Sequence, residues 1–223
     1  MNRIQRAIVA SQFLVHLTKN FDDKNALDNL KSIIRDGQIE ARNSYGFASK
    51  LQPDAPKQVC FSEIPFDNLW ELLRRRSKYG IVFEKGLVRL SGGNPIHYVQ
   101  KNSVLNTAVL KLRDDASGDL NNTFWDVAPF IDVVGDFPSG PYKFQWEREW
   151  RLNCNMKFDI EDIALIIAPE KKHVLLTKHL MSITKTISER TCRRILVDLS
   201  WKTKKMKRAY VELESRLNSR SGD

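Results

Sequence analysis

The sequence predicts one α+β domain, and three observations predict it. Strand-like and helix-like segments follow one another along 223 residues without the regular βαβ alternation of a doubly wound sheet. With 42% of positions apolar, a chain of this length can bury one proper core. No internal repeat or long low-complexity tract divides it. The expected limits are a mixed domain over residues 1–200 and a basic C-terminal helix and tail over 201–223.

Phe13 to Thr18 reads as a first strand, an apolar run carrying His16 and Thr18. Asn25 to Arg35 sets Ala26, Leu27, Leu30, Ile33 and Ile34 on a helical stripe, with Asp22 or Asp23 to cap its start and Gly37 suited to the left-handed residue beyond its end. Gln38 to Arg42 suits a short strand, and Asn43 to Lys57, rich in Gly, Ser, Pro and Lys, suits a loop. Val59 to Ser62 is a second strand. Phe66 to Lys78 is a helix displaying Arg74, Arg75, Arg76 and Lys78 at its C-terminal end.

Ile81 to Phe83 and Ile96 to Val99 read as strands, separated by a turn over Ser91 to Pro95. Its glycine doublet lacks the Gly-Lys-Ser or GxGxxG pattern of a phosphate loop. Asn102 to Leu112 suits a helix. Asp114 to Tyr142 carries no clear element, although Phe124-Trp125 and Phe130-Ile131 should pack back onto the domain. Ile163 to Pro169 is a buried strand, His173 to Ser188 a helix, Ile195 to Leu199 another buried strand, and Lys202 to Leu217 a strongly basic helix.

Charge and cysteine content narrow the function classes. A formal net charge of +9 favours a polyanionic partner such as nucleic acid. Three cysteines, without CxxC spacing or histidines at ligand intervals, suggest neither a disulfide framework nor a metal site. No apolar run of about 18 residues can span a bilayer, and Arg3, Gln5, Arg6 and Gln12 break the N-terminal stretch as a signal or anchor. The expectation is a cytoplasmic protein with no membrane association.

Several residue groups can carry chemistry. His16 and Thr18 are two apart, so strand alternation places both on one face, where they can grip a ribose hydroxyl or an amide. The alternative is a core histidine satisfied by a backbone carbonyl. Trp146-Glu147-Arg148-Glu149-Trp150-Arg151 concentrates charge and aromatic surface that a core seldom needs. If that segment is extended, Glu147 and Glu149 project to one face as paired carboxylates that can stabilise a developing positive charge; otherwise Arg148 and Arg151 neutralise them. A metal-dependent nuclease would need further acids that this order does not supply. The Arg74 to Lys78 cluster suits either the negative end of a helix dipole or phosphate. In the last helix, Lys204, Lys205, Lys207 and Arg208, with Trp201 and Tyr210 nearby, suit either a solvated face or a nucleic-acid or partner contact.

The order of the motifs resembles a known family. Phe13-Leu14-Val15-His16-Leu17-Thr18, the helix through Asn29-Leu30 to Gly37, Val59 to Pro65, Tyr79 to Phe83, Pro95 to Val99 and Trp146 to Arg151 resemble bacterial abortive phage-infection proteins of the AbiGi type over residues 13–153. The opening strand and helix are also similar to DarT-type ADP-ribosyltransferases. That resemblance implies a split-sheet fold, NAD as the substrate with no other cofactor, and site residues carried over by position. His16 with Thr18 would hold the ribose, Ser62 would support the site, and Glu149 would be the catalytic acid, with Glu147 completing an ExE pair. The nicotinamide-stacking tyrosine has three candidate counterparts, Tyr45, Phe61 and Tyr79, and Glu63 beside Ser62 departs from the usual Ser-Thr-Ser. The implied function is an anti-phage or toxin–antitoxin protein that transfers ADP-ribose to a macromolecule such as nucleic acid. The alternative is a non-catalytic defence or antitoxin module that binds a cognate toxin, antitoxin or nucleic acid.

Overall fold

Apolar runs and capping residues set the elements in a computed structural model of the protein, which describes residues 12–44, 56–63, 77–119, 121–137, 140–142, 145–184 and 187–220. In chain order they begin with β1 (Phe13–Leu17), α1 (Ala26–Asp36), β2 (Gln38–Ile39), β3 (Val59–Ser62) and β4 (Gly80–Glu84). Next come α2 (Lys85–Leu90), β5 (Asn94–Pro95), β6 (His97–Gln100), α3 (Val104–Asp115), α4 (Phe124–Val127), β7 (Ile131–Phe137) and β8 (Gly140–Tyr142). The rest are β9 (Glu149–Leu152), β10 (Met156–Lys157), β11 (Ile163–Ile167), α5 (His173–Ile183), α6 (Glu189–Ile195), β12 (Leu196–Val197) and α7 (Thr203–Arg220). Strands and helices are mixed without βαβ alternation, as an α+β reading requires. Tyr45 and the segment that carries Arg74, Arg75 and Arg76 lie outside the described residues.

The chain divides into two compact units built from non-contiguous segments. The first takes the described residues of Met1–Gln38, Pro65–Leu87 and Lys157–Asp223; the second takes those of Ile39–Ile64 and Val88–Met156. In the first unit β4 pairs antiparallel with β1 and with β11, and β11 pairs parallel with β12. Leu30, Ile33 and Ile34 of α1, Leu176 and Leu180 of α5, and Leu213 of α7 are buried with the strands. The basic helix is therefore part of this unit. Gly80 belongs at the start of β4 for a steric reason, because a Cβ there would stand 2.8 Å from the His16 carbonyl oxygen.

In the second unit β9 pairs antiparallel with both β3 and β5, while β7 pairs parallel with β6 and antiparallel with β8. Phe124, Trp125 and Ile131 pack with Val99, Val109, Ala116 and Ala128 in one buried cluster. The expected return of those aromatic residues to a core is met, although the stretch containing them also forms α4, β7 and β8.

Capping chemistry explains the main corrections to the expected elements. Asn25, not Asp22 or Asp23, caps α1, accepting from the N–H groups of Leu27 at 3.0 Å and Asp28 at 3.1 Å. Asp22 sits at φ +52° in a turn closed by the Phe21–Lys24 bridge, too early to reach the helix. Gly37 takes the left-handed C-cap at φ +57°, as expected. The helix expected over His173 to Ser188 stops at Ile183, since Ser188 caps a second helix by accepting from the Thr191 N–H at 3.2 Å. Ile195 consequently ends that helix instead of opening a strand.

Candidate active site

The site is built on β9. Antiparallel partners share a face, and the register sets Ser62 opposite Glu149, Cys60 opposite Arg151 and Phe61 opposite Trp150. One face of this ladder is therefore apolar, with Val59, Phe61, Trp150 and Leu152. The other carries Cys60, Ser62, Glu149 and Arg151. The polar face draws its charges inward, since Arg151 is 1% exposed.

Arg151 organises the polar face. Its Nε donates to Glu149 Oε1 at 2.9 Å and its Nη2 to Glu149 Oε2 at 3.2 Å, so the carboxylate is held at both oxygens. Nη2 also donates to Asp132 Oδ2 at 2.5 Å, and Nη1 to the Pro129 carbonyl at 2.7 Å. Burial works to lower the guanidinium pKa, but the hydrogen bonds and charge of Glu149, followed by the charge of Asp132, raise it overall. The Cys60 thiol is pushed well above its ordinary value by burial first and the Glu149 charge second. Burial also pushes the Tyr98 phenol up to about 12, aided by the charges of Glu149, Glu147 and Asp132 against the lowering effect of its hydrogen bond with the Glu149 backbone. In that bond the Glu149 N–H donates to the phenol oxygen at 3.1 Å.

The ExE segment is not extended across both acids. Gln145–Glu147 forms one turn of 3-10 helix, and Arg148 has φ +44°, so strand alternation does not relate Glu147 to Glu149. Glu147 is buried, whereas the Glu149 side chain keeps 17% of its surface. Arg148 pairs with Glu63 at 3.0 Å. Glu63 is itself buried and accepts from the Trp150 indole at 2.8 Å. The acid beside Ser62 thus locks the tryptophan on the apolar side.

The remaining expected site residues divide between the units. Phe61 is buried in the second unit with its side chain on the core face, which makes its ring a packing element. In the first unit His16 is half-buried at mid-strand opposite Ile81. Thr18 lies just beyond the strand, and its hydroxyl donates to the Ala26 carbonyl at 2.7 Å. Tyr79 joins these two, because its carbonyl accepts from the Thr18 N–H at 3.0 Å; it is half-buried, and burial raises its phenol pKa. The first unit brings together His16, Thr18 and Tyr79, and the second sets Ser62 opposite Glu149 and carries Glu147 separately in the preceding turn.

On the basic helix, Lys204 and Arg208 are exposed, and Arg208 reaches Glu212 at 3.3 Å. Lys207 lies within α7, with its side chain outside the described residues. Lys205 is engaged, 2.5 Å from Glu170 and 3.8 Å above the Trp201 ring. Sequence reasoning missed Asp132 and Tyr98 and cast Arg151 only as a neutraliser. The available signal was an acid inside Ile131-Asp132-Val133-Val134, an apolar strand that tolerates a charge only when it is partnered.

Among the described residues no cluster of His, Cys, Asp and Glu could hold a metal ion, and no helix is long and apolar enough to cross a membrane. The fold and its ion-paired carboxylates define an α+β protein with a largely buried cluster of charges. Comparison with known families then places the chain. It belongs to the family described as "Putative abortive phage resistance protein AbiGi, antitoxin", which matches residues 35–212. This sets it among phage-defence or toxin–antitoxin proteins. No curated protein matches significantly in sequence. Among solved structures it is similar to "Thermus sp. 2.9 DarT in complex with carba-NAD+", at 15% identity and a TM-score of 0.41, with 84% of this chain and 95% of that one covered.

Proposed function

We propose that the protein is a phage-defence enzyme that cleaves the bond between nicotinamide and ribose in NAD and transfers ADP-ribose to a macromolecule. The carrying observation is the placement of Ser62 opposite a Glu149 carboxylate held at both oxygens by Arg151 yet still partly exposed. The motif order supports the same roles and adds His16, Thr18 and Tyr79 as NAD-binding residues. Nicotinamide would leave with the bonding electron pair, and positive charge would build on the ribose carbon. A carboxylate fixed before the reaction stabilises that charge without reorganising. The acceptor's nucleophile would then bond to the same carbon and release its proton to solvent. With a net charge of +9 and Lys204 and Arg208 exposed, a nucleic acid suits as acceptor.

The test is incubation of purified protein with adenylate-labelled NAD and, separately, DNA, RNA and cell lysate. Transfer of label is expected, and Glu149→Gln should reduce it by roughly 100-fold or more in a folded protein. His16→Ala and Ser62→Ala should weaken NAD binding in calorimetry with thermal stability kept. Wild-type rates in Glu149→Gln would overturn the assignment.

A second reading rests on the word "antitoxin" in the family description and on the ion pair that offsets the Glu149 charge. Here the chain binds a cognate toxin without catalysis. Absence of label transfer, together with neutralisation of a co-expressed toxin by Glu149→Gln as well as by wild type, would favour it.

A further inference from the structure

Arg151 poses a difficulty for any role of Glu149 toward positive charge. A carboxylate held at both oxygens by one guanidinium is neutral as a pair, and a neutral pair offers little to a developing cation. Asp132 changes this balance. Its Oδ2 lies 2.5 Å from the same Nη2 that serves Glu149, so two carboxylates share one guanidinium and the three groups carry one net negative charge. The Pro129 carbonyl adds a partial negative charge at Nη1, 2.7 Å away. Of the two acids Glu149 is the more open, with 17% of its side chain exposed against 12% for Asp132. Asp132 is fixed by β7, which among the described residues pairs with β6 and β8. It therefore sets Arg151 from a different strand.

We propose that Asp132 is a positioning residue that draws on the Arg151 guanidinium and so restores net negative charge to the Glu149 carboxylate. Catalytic contact belongs to Glu149; Asp132 acts through Arg151. The inference rests on the proposed NAD reaction for its activity readout but has a second readout that does not. Cys60 stands opposite Arg151, and its thiol feels the charges of both Glu149 and Arg151. Its titration therefore reports the local charge balance whether or not the protein turns over NAD.

The experiment compares wild type with Asp132→Asn, which keeps the shape and removes the charge, and with Asp132→Glu, which keeps the charge. The first measurement is the pH profile of Cys60 alkylation by iodoacetamide, followed by mass spectrometry with the exposed Cys154 as internal reference. Asp132→Asn should move the Cys60 midpoint down by about half a unit or more, because less negative charge faces the thiolate. Asp132→Glu should move it less. The second measurement is NAD cleavage, in which Asp132→Asn should lower kcat about tenfold or more at nearly unchanged KM, and Asp132→Glu should restore most of it. A Cys60 midpoint unchanged in Asp132→Asn overturns the proposal. So does wild-type kcat in that variant, if wild type is active. An inactive wild type with a shifted Cys60 midpoint sinks the NAD reading and leaves the charge balance standing. If Asp132→Asn does not fold, Asp132→Ser, also uncharged, gives the same two comparisons.

Discussion

Two strands, one in each unit, are both almost wholly buried, yet they are built on opposite principles. In β11 the five residues Ile163, Ala164, Leu165, Ile166 and Ile167 are all buried and all apolar. Of the four residues of β9 three are buried, and one of these is Arg151. Burying apolar surface is favourable without further conditions, at roughly 25 cal/mol per Å². Burying a guanidinium costs several kcal/mol before its partners offset it, and in β9 Glu149, Asp132 and the Pro129 carbonyl share that task. The contrast makes β9 the strand whose stability depends on a balance of charge.

The sharpest way to break the contrast is Arg151→Met. It leaves the buried Asp132 and the half-buried Glu149 without their counter-charge, and chemical denaturation should show a loss of about 3–5 kcal/mol. Adding Asp132→Asn and Glu149→Gln to the same chain should recover most of that loss, since the charges then vanish together. A loss below about 1 kcal/mol in the single variant would mean that solvent reaches the network. The apolar strand should respond differently. Leu165→Ala should lose about 3 kcal/mol through transfer and cavity effects, and no change of charge elsewhere should restore it.

The same contrast explains what the sequence could reveal. The apolar strand, the α1 stripe and the Gly37 cap follow local rules of periodicity and φ, which a linear reading sees. The expected ExE face depended on an extended backbone, and the +44° φ of Arg148 interrupts it; arginine does not advertise that conformation as glycine would. Asp132 was hidden for another reason, because its partner is 19 residues away on a strand with which β7 does not pair among the described residues. Glu149 stood out as a candidate from its motif alone, but the groups that pair with it became visible only in three dimensions.

Thr18 extends the comparison to the first unit at smaller scale. Its buried hydroxyl donates to the Ala26 carbonyl, and Thr18→Val should remove that hydrogen bond at a loss of about 1 kcal/mol in thermal denaturation. If NAD affinity falls in this variant while stability does not, Thr18 serves the ligand rather than the turn.

The smallest effect is expected on the surface of the first unit, where charge pairing has almost no burial behind it. Glu170 is held below its ordinary carboxylate value by hydrogen bonds, from Lys205 first and from the Trp201 indole at 2.8 Å second. A depressed carboxylate pKa contributes stability that is present above the unfolded value, here 4.5, and is lost as pH falls through the folded one. Acidification should therefore release Lys205 and Trp201 from Glu170 with a midpoint below 4.5, read from the Trp201 indole N–H resonance in a nitrogen-15 NMR titration. Lys205→Gln should bring that midpoint up toward 4.5, and high salt should do so in part, because exposed pairs are screened. Global stability should barely change in either case, in contrast to Arg151→Met. A midpoint indifferent to Lys205→Gln would show that Lys205 does not engage Glu170 in solution, leaving it a solvated cation of the basic helix.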